Sequence, residues 1–185
     1  MSHNDIHIRV AGFGGQGVMM FGQVLAHAAT IKSLNALWFP SYGPETRGGT
    51  ANCQVIVSKD QINSPVFNKA NHLIVFNHPS LVKFEDKTED SGIILYNASL
   101  INDVKKHEKV QSIGIPVNDI AIELGQAQVA NMVMLGAYLE LTNLFDDETI
   151  KEALVKFLGQ RKAHMVDINL DAIKAGHQFI INHIK

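Results

Sequence analysis

The sequence predicts an α/β fold, a doubly wound, mostly parallel sheet with helices on both faces, Rossmann-like in kind. Three observations carry that expectation. The apolar run Ile6 to Ala11 enters a glycine-rich turn, Gly12-Phe13-Gly14-Gly15-Gln16-Gly17, and leaves it as a helical segment starting at Val18. Short β-branched runs then alternate with turns and helix starts. The last third of the chain repeats its apolar residues at helical spacing.

Each element has its own signal. Helix 1 runs from about Val18 to Ser33. A second strand, Ala36 to Phe39, ends at Pro40, and a polar loop, Ser41 to Thr50, follows. Ala51 to Ser58 alternates and is β-branched, as a strand should be. His72 to Phe76 is another strand, ending at Asn77-His78-Pro79-Ser80, where Pro79 suits the first turn of a helix. Gly92 to Asn97 and Val110 to Val117 are two further strands. From Val129 to Leu141 the pattern is helical but apolar nearly all round, so this helix must be buried inside the domain or under a partner. Exposed, it would favour a homodimer of the isolated chain. Phe145 and Ile150 flank Asp146 as a staple across a helix cap. The last helix carries Met165, Ile168, Ala172, Gly176, Phe179 and Ile180 on one side. No repeat or linker divides residues 1–185, which read as a single domain.

Bulk composition narrows the function. In 185 residues, 46% are hydrophobic, 18% are charged, and the net charge is −2. Without a basic excess, binding driven by phosphate neutralisation on nucleic acid is not expected. No apolar run is long enough to cross a membrane, and a cytoplasmic setting is the expectation. Cys53 is the only cysteine, which excludes an intramolecular disulfide and a four-cysteine iron–sulfur or zinc site supplied by this chain alone. Nine histidines show no H-E-x-x-H and no clustered Cys/His spacing, so no metal site is expected. Ser41, Ser80 and Cys53 lack a neighbouring base, so no catalytic residue is expected in this chain.

Two segments could carry chemistry. Gly12, Gly14 and Gly17 match the G-x-G-x-x-G template, and Gly15 adds backbone freedom. Such a turn presents backbone amides to an anion at a helix N-terminus. A dinucleotide site also needs an acid at the end of strand 2 for the ribose, and no Asp or Glu occurs between Asp5 and Glu45. An NAD(P)- or flavin-binding reductase therefore stays as the alternative to a turn packed against protein or holding a simple anion. The second segment, Ser41-Tyr42-Gly43-Pro44-Glu45-Thr46-Arg47-Gly48-Gly49-Thr50-Ala51-Asn52, should lie on the same sheet edge. Arg47 could grip a carboxylate or phosphate in bidentate fashion, or pair with Glu45 within the loop, or the loop could dock a partner.

Taken together, Val10 to Val18, Ser41 to Asn52, Asn77 to Leu81 and Val129 to Ala137, in that order, resemble the gamma subunit of 2-oxoacid:ferredoxin oxidoreductases. The likeness runs over nearly the whole chain. It implies an accessory subunit of a complex that oxidatively decarboxylates a 2-oxo acid to an acyl-CoA and reduces ferredoxin. It also implies alpha, beta and delta (ferredoxin-like) partners that hold thiamine diphosphate, Mg²⁺ and iron–sulfur clusters, with no cofactor on this chain and none of its activity when isolated. Tyr42, Glu45, Arg47 and Asn52 would face partner subunits or the CoA side. Thr50-Ala51-Asn52-Cys53 resembles the 2-oxoglutarate and branched-chain members more than the pyruvate members, with 2-oxoglutarate preferred.

Overall fold

The computed structural model of the chain describes residues 5–43 and 49–184. Its strands are β1 (Ile6–Phe13), β2 (Asn35–Tyr42), β3 (Thr50–Ser58), β4 (Ala70–Val75), β5 (Thr88–Asn97) and β6 (Gln111–Ile115). Its α-helices are α1 (Val18–Ile31), α2 (His78–Phe84), α3 (Val117–Glu123), α4 (Ala130–Thr142), α5 (Asp147–Leu158) and α6 (Val166–His183). The strands form one sheet in the order β2-β3-β1-β4-β5-β6. β1, β4, β5 and β6 pair in parallel, and β3 pairs antiparallel with both β1 and β2. β3 is therefore the one strand that runs against the others. Its approach from β2 explains this: a parallel return needs a crossover of a dozen residues or so, and β2 and β3 are joined without one.

Several boundaries differ from the sequence expectation. β2 continues through Pro40, which pairs opposite Cys53. Proline lacks the N–H that a central strand would donate, but β2 is an edge strand and has a free side. The segment expected as strand through Val117 ends at Ile115, and Val117 opens α3, a short helix that the pattern did not signal. The cap at Asp146 forms as expected: its carboxylate accepts from the Thr149 amide at 2.8 Å, with Phe145 and Ile150 buried on either side. Asn77 caps α2 in the same way, accepting from Ser80 N at 2.9 Å ahead of Pro79.

The helices cover the two faces unequally. One face presents Ile8, Val10, Cys53, Val55, Val57, Ile74 and Leu95 to the main core, together with α1, α3, α4, α5 and α6. The other buries Ala11, Leu73, Val75 and Ile94 beneath Leu81 and Phe84 of α2 and beneath Ile101.

α4 answers the question its sequence posed. Every residue from Asn131 to Leu139 is buried within the domain. On one side Tyr138 reaches the sheet, its hydroxyl 2.8 Å from His72 Nδ1 on β4. On the other, α6 crosses so closely that a Cβ on Gly136 would overlap the Ile173 carbonyl oxygen, and a Cβ on Gly176 would overlap that of Val133. The apolar surface of α4 is thus taken up inside the chain, which removes it as a ground for self-association.

Replacing Gly136 or Gly176 by alanine should lower the unfolding free energy by at least about 2 kcal/mol, because the helices must separate. Val155→Ala on the exposed side of α5 should change it by less than about 0.5 kcal/mol. Urea denaturation of the three variants checks this. Burial pushes the His72 imidazole down from its ordinary value of 6.5 to about 4. The unfolded chain then binds the extra proton first, so His72 contributes stability above pH 6.5 that is lost as pH falls toward 4. The loss should be at most about 3 kcal/mol, and His72→Phe should flatten the pH profile of denaturation midpoints in that window.

Candidate functional site

The glycine turn lies at the carboxyl edge of β1, where open α/β sheets receive ligands. Its four glycines do different things. Gly12, next to the end of β1, lies under Gln16, Val18 and Phe76, so a side chain there would strike all three. Gly17, at φ 76°, is the N-cap of α1, and Asn131 of α4 presses onto it inside van der Waals contact of any added Cβ. Gly14 and Gly15 meet nothing within 4 Å, and Gly15 holds φ 94°. The turn is therefore packed at both ends and open in the middle.

The side chain that organises this edge is Gln16, which the motif contains but sequence reasoning did not single out. Its Oε1 accepts from the Phe13 amide at 2.7 Å and from Asn77 Nδ2 at 3.0 Å, and its Nε2 donates to the Phe76 carbonyl at 3.3 Å. Asn97 Nδ2 donates to the same carbonyl at 3.4 Å and to Asn118 Oδ1 at 2.8 Å. A string of carboxamides thus joins the ends of β1, β4 and β5 to the start of α3. The signal that could have found it is a carboxamide recurring at or just past the ends of β1, β4 and β5: Gln16, Asn77 and Asn97.

These bonds also occupy part of the turn. The Phe13 amide is held by Gln16, Gly14 N donates to the Gly49 carbonyl at 3.0 Å, and Gln16 N donates to Phe13 O at 3.2 Å. α1 has no side-chain cap and no acid in its first turn.

The described ends of the second motif, 41–43 and 49–52, lie beside the glycine turn. β3 pairs with β1 from Phe13 opposite Thr50, and Gly43 N donates to the Thr50 carbonyl at 2.7 Å, so the base of the β2–β3 loop is tied to the glycine turn. Tyr42 ends β2 at 68% exposure. Asn52 lies half-buried on β3, opposite Ser41 on one side and Ala11 on the other. Glu45 and Arg47 fall outside the described residues.

The remaining candidates resolve simply. Cys53 is wholly buried, its Sγ 3.6 Å from the Val18 carbonyl, and burial pushes its thiol up to about 12, so it stays protonated at physiological pH. His78 is exposed in the first turn of α2. Among the described residues, no group of three His, Cys, Asp or Glu is placed to hold a metal ion.

With this geometry, four likenesses become informative. Residues 7–179 match the family model described as pyruvate ferredoxin/flavodoxin oxidoreductase. The ketoisovalerate oxidoreductase subunit VorA of Methanothermobacter thermautotrophicus is 39% identical over 183 residues, 98% of this chain but 38% of VorA. The chain thus spans little more than a third of that relative's length. The 2-oxoglutarate synthase subunit KorC of the same organism is 33% identical over 181 residues, 94% of each protein. The crystal structure of the keto/oxoacid ferredoxin oxidoreductase gamma subunit from Geobacter sulfurreducens superposes with a TM-score of 0.81 at 27% identity, over 96% of this chain and 99% of that one.

The two ends of the turn differ from its middle in a way that mutation can read. Gly17→Ala should cost at least about 2 kcal/mol through its positive φ and the Asn131 overlap. Gly14→Ala, with a negative φ and open space, should stay within about 0.5 kcal/mol of the parent. Thermal and urea unfolding of both variants tests the contrast.

Proposed function

Because this chain belongs to the pyruvate ferredoxin/flavodoxin oxidoreductase family, we propose that it is the gamma-type, accessory subunit of a 2-oxoacid:ferredoxin oxidoreductase. The observation that carries this is the correspondence with KorC over 94% of each protein. The complex would decarboxylate a 2-oxo acid oxidatively, form an acyl-CoA and reduce ferredoxin. Thiamine diphosphate, Mg²⁺ and iron–sulfur clusters would then belong to alpha, beta and delta partners. Two features of this chain support that division: its single cysteine is buried, where a cluster needs four ligands, and its sequence has no Gly-Asp-Gly segment with a downstream Asn-Asn to hold a diphosphate-bound Mg²⁺.

In such an assembly this chain's own contribution is positional. The β2–β3 loop and the glycine turn form one edge, tied together through Gly14 and Gly49. Gly14 and Gly15 are the uncrowded positions of that edge, where Gly12 and Gly17 are packed, and the Gly14 amide is already given to the Gly49 carbonyl. Arg47 in the loop supplies a guanidinium that matches a carboxylate or phosphate in bidentate fashion. Tyr42 and Asn52, at the described ends of that loop, and Glu45 within its sequence are the residues we assign to partner subunits or to the approach of CoA.

For the substrate, 2-oxoglutarate is the reading favoured by Thr50-Ala51-Asn52-Cys53 and by KorC. A branched-chain 2-oxo acid is the second reading, favoured by the 39% identity with VorA. Assay of the assembled complex with each acid separates them. The alternative of a free-standing NAD(P)- or flavin-dependent reductase is disfavoured by Gln16, whose Oε1 occupies the Phe13 amide at the turn.

Affinity purification from the native host should recover two thiamine-binding chains and one ferredoxin-like chain, and recovery of none of them refutes the proposal. The isolated chain should show no binding heat with NADH or FMN. Arg47→Ala should leave assembly intact and raise the KM for CoA about tenfold or more, the scale of one lost bidentate anion contact. A variant that fails to assemble instead would mark the loop as a docking element.

A further inference from the structure

The face of the sheet opposite the main helices carries a row of polar side chains over β1, β2 and β3. Arg9 stands opposite Gln54, and Ser41 stands opposite Asn52. α2 packs over part of this face, and between it and the segment before β4 lies an open recess of about 610 Å³. Arg9, Asn52 and Gln54 form its floor. Lys69 stands on one wall, and Lys83 and Lys87 stand on the other.

Arg9 is unusual for a residue in a β-strand core. Only 5% of it is exposed. Its Nη2 donates to the Phe67 carbonyl at 3.1 Å, while Nε and Nη1 have no hydrogen-bond partner among the described residues. No described carboxylate pairs with it, and burial alone lowers its pKa from the ordinary value. The guanidinium instead lies against two rings, 5.2 Å from the Phe67 centroid and 4.9 Å from that of Phe84. The ammonium groups of Lys83 and Lys87 approach the same Phe84 ring at 5.4 and 5.8 Å. Three cations therefore gather on one aromatic side chain. Asp86 also lines the recess, and no ion pair joins it to any of them among the described residues.

Like charges converging on a half-dry recess repel one another, and a buried guanidinium without a counter-charge is costly. An anion entering the recess would relieve both. One carboxylate would leave most of the positive charge unbalanced. A phosphate brings up to two charges and several acceptor oxygens, which suits a guanidinium whose Nε and Nη1 are unpaired and which is flanked by ammonium groups. The volume falls within the range of small-molecule sites. We propose that this recess is a binding site for a phosphate group, either free or carried by a small molecule. The site is separate from the glycine turn and does not rest on the assignment of the chain as a gamma-type subunit.

The test titrates the full chain with inorganic phosphate and with ADP, by calorimetry and by NMR of side-chain amides. Binding should move the Asn52 and Gln54 side-chain resonances and leave the Gly15 amide unmoved. Lys83 and Lys87 are both exposed, so the double variant Lys83→Gln/Lys87→Gln should keep the fold, with an unfolding midpoint near the parent's, and it should weaken binding by about tenfold or more. Tighter binding of ADP than of phosphate identifies a carried phosphate, and equal binding identifies the free ion. The proposal is overturned if neither probe binds, if the double variant binds as tightly as the parent, or if Gly15 responds in place of Asn52 and Gln54.

Discussion

The close crossing of α4 and α6 at Gly136 and Gly176 is the constraint on which the rest of the molecule depends. A helix apolar on every side has no face to give to water, so it must be enclosed completely. The sheet and α1 can cover only part of it. α6 supplies the rest, and it can come near enough only where neither helix carries a Cβ. Once enclosed, α4 is held in position along its whole length. Tyr138 then meets His72 on the sheet, and Asn131 meets Gly17 and donates to its carbonyl at 3.3 Å. The start of α1, and with it the glycine turn, is thereby positioned by a helix more than a hundred residues further along the chain.

At the edge that results, hydrogen bonding is done by neutral carboxamides. Gln16, Asn77 and Asn97 bind strand ends to one another and to helix starts, and each also meets a backbone group that would otherwise lack a partner. Among the described residues this chemistry stiffens the edge through neutral groups alone. It suits a subunit that presents a rigid border to other chains, which is the role its family likeness supports. The amide held by Gln16 is one that a dinucleotide-binding turn would offer to a phosphate.

The two faces of the sheet divide the labour. One is buried under five helices, and its residues alternate as apolar positions along β1 and β3. The other is buried only toward β4 and β5, leaving polar and cationic residues on β1 and β3 beside α2. Reversing β3 without a crossover helix is what leaves that side bare. No helix is delivered there, and the face stays available to ligands or to neighbours.

Much of the architecture was legible in the sequence. Periodicity showed the strands and helices, because side chains on a pleated strand alternate and those on a helix recur every three or four residues. The glycine turn, the Asp146 cap and the start of α2 at Pro79 were equally plain, being local matters of backbone geometry and of a side chain reaching its own neighbours. What only the tertiary structure decided depends on residues far apart in the chain. The direction of β3 follows from which strand it meets, and α3 was hidden because a short helix leaves too few turns to show a period. The role of Gln16 rests on Phe76 and Asn77, some sixty residues away. The uncompensated charge of Arg9 could not be read at all, since in the sequence it is an ordinary polar residue of a strand. Burial is a property of the assembled fold, and it is burial that turns a common side chain into a costly one.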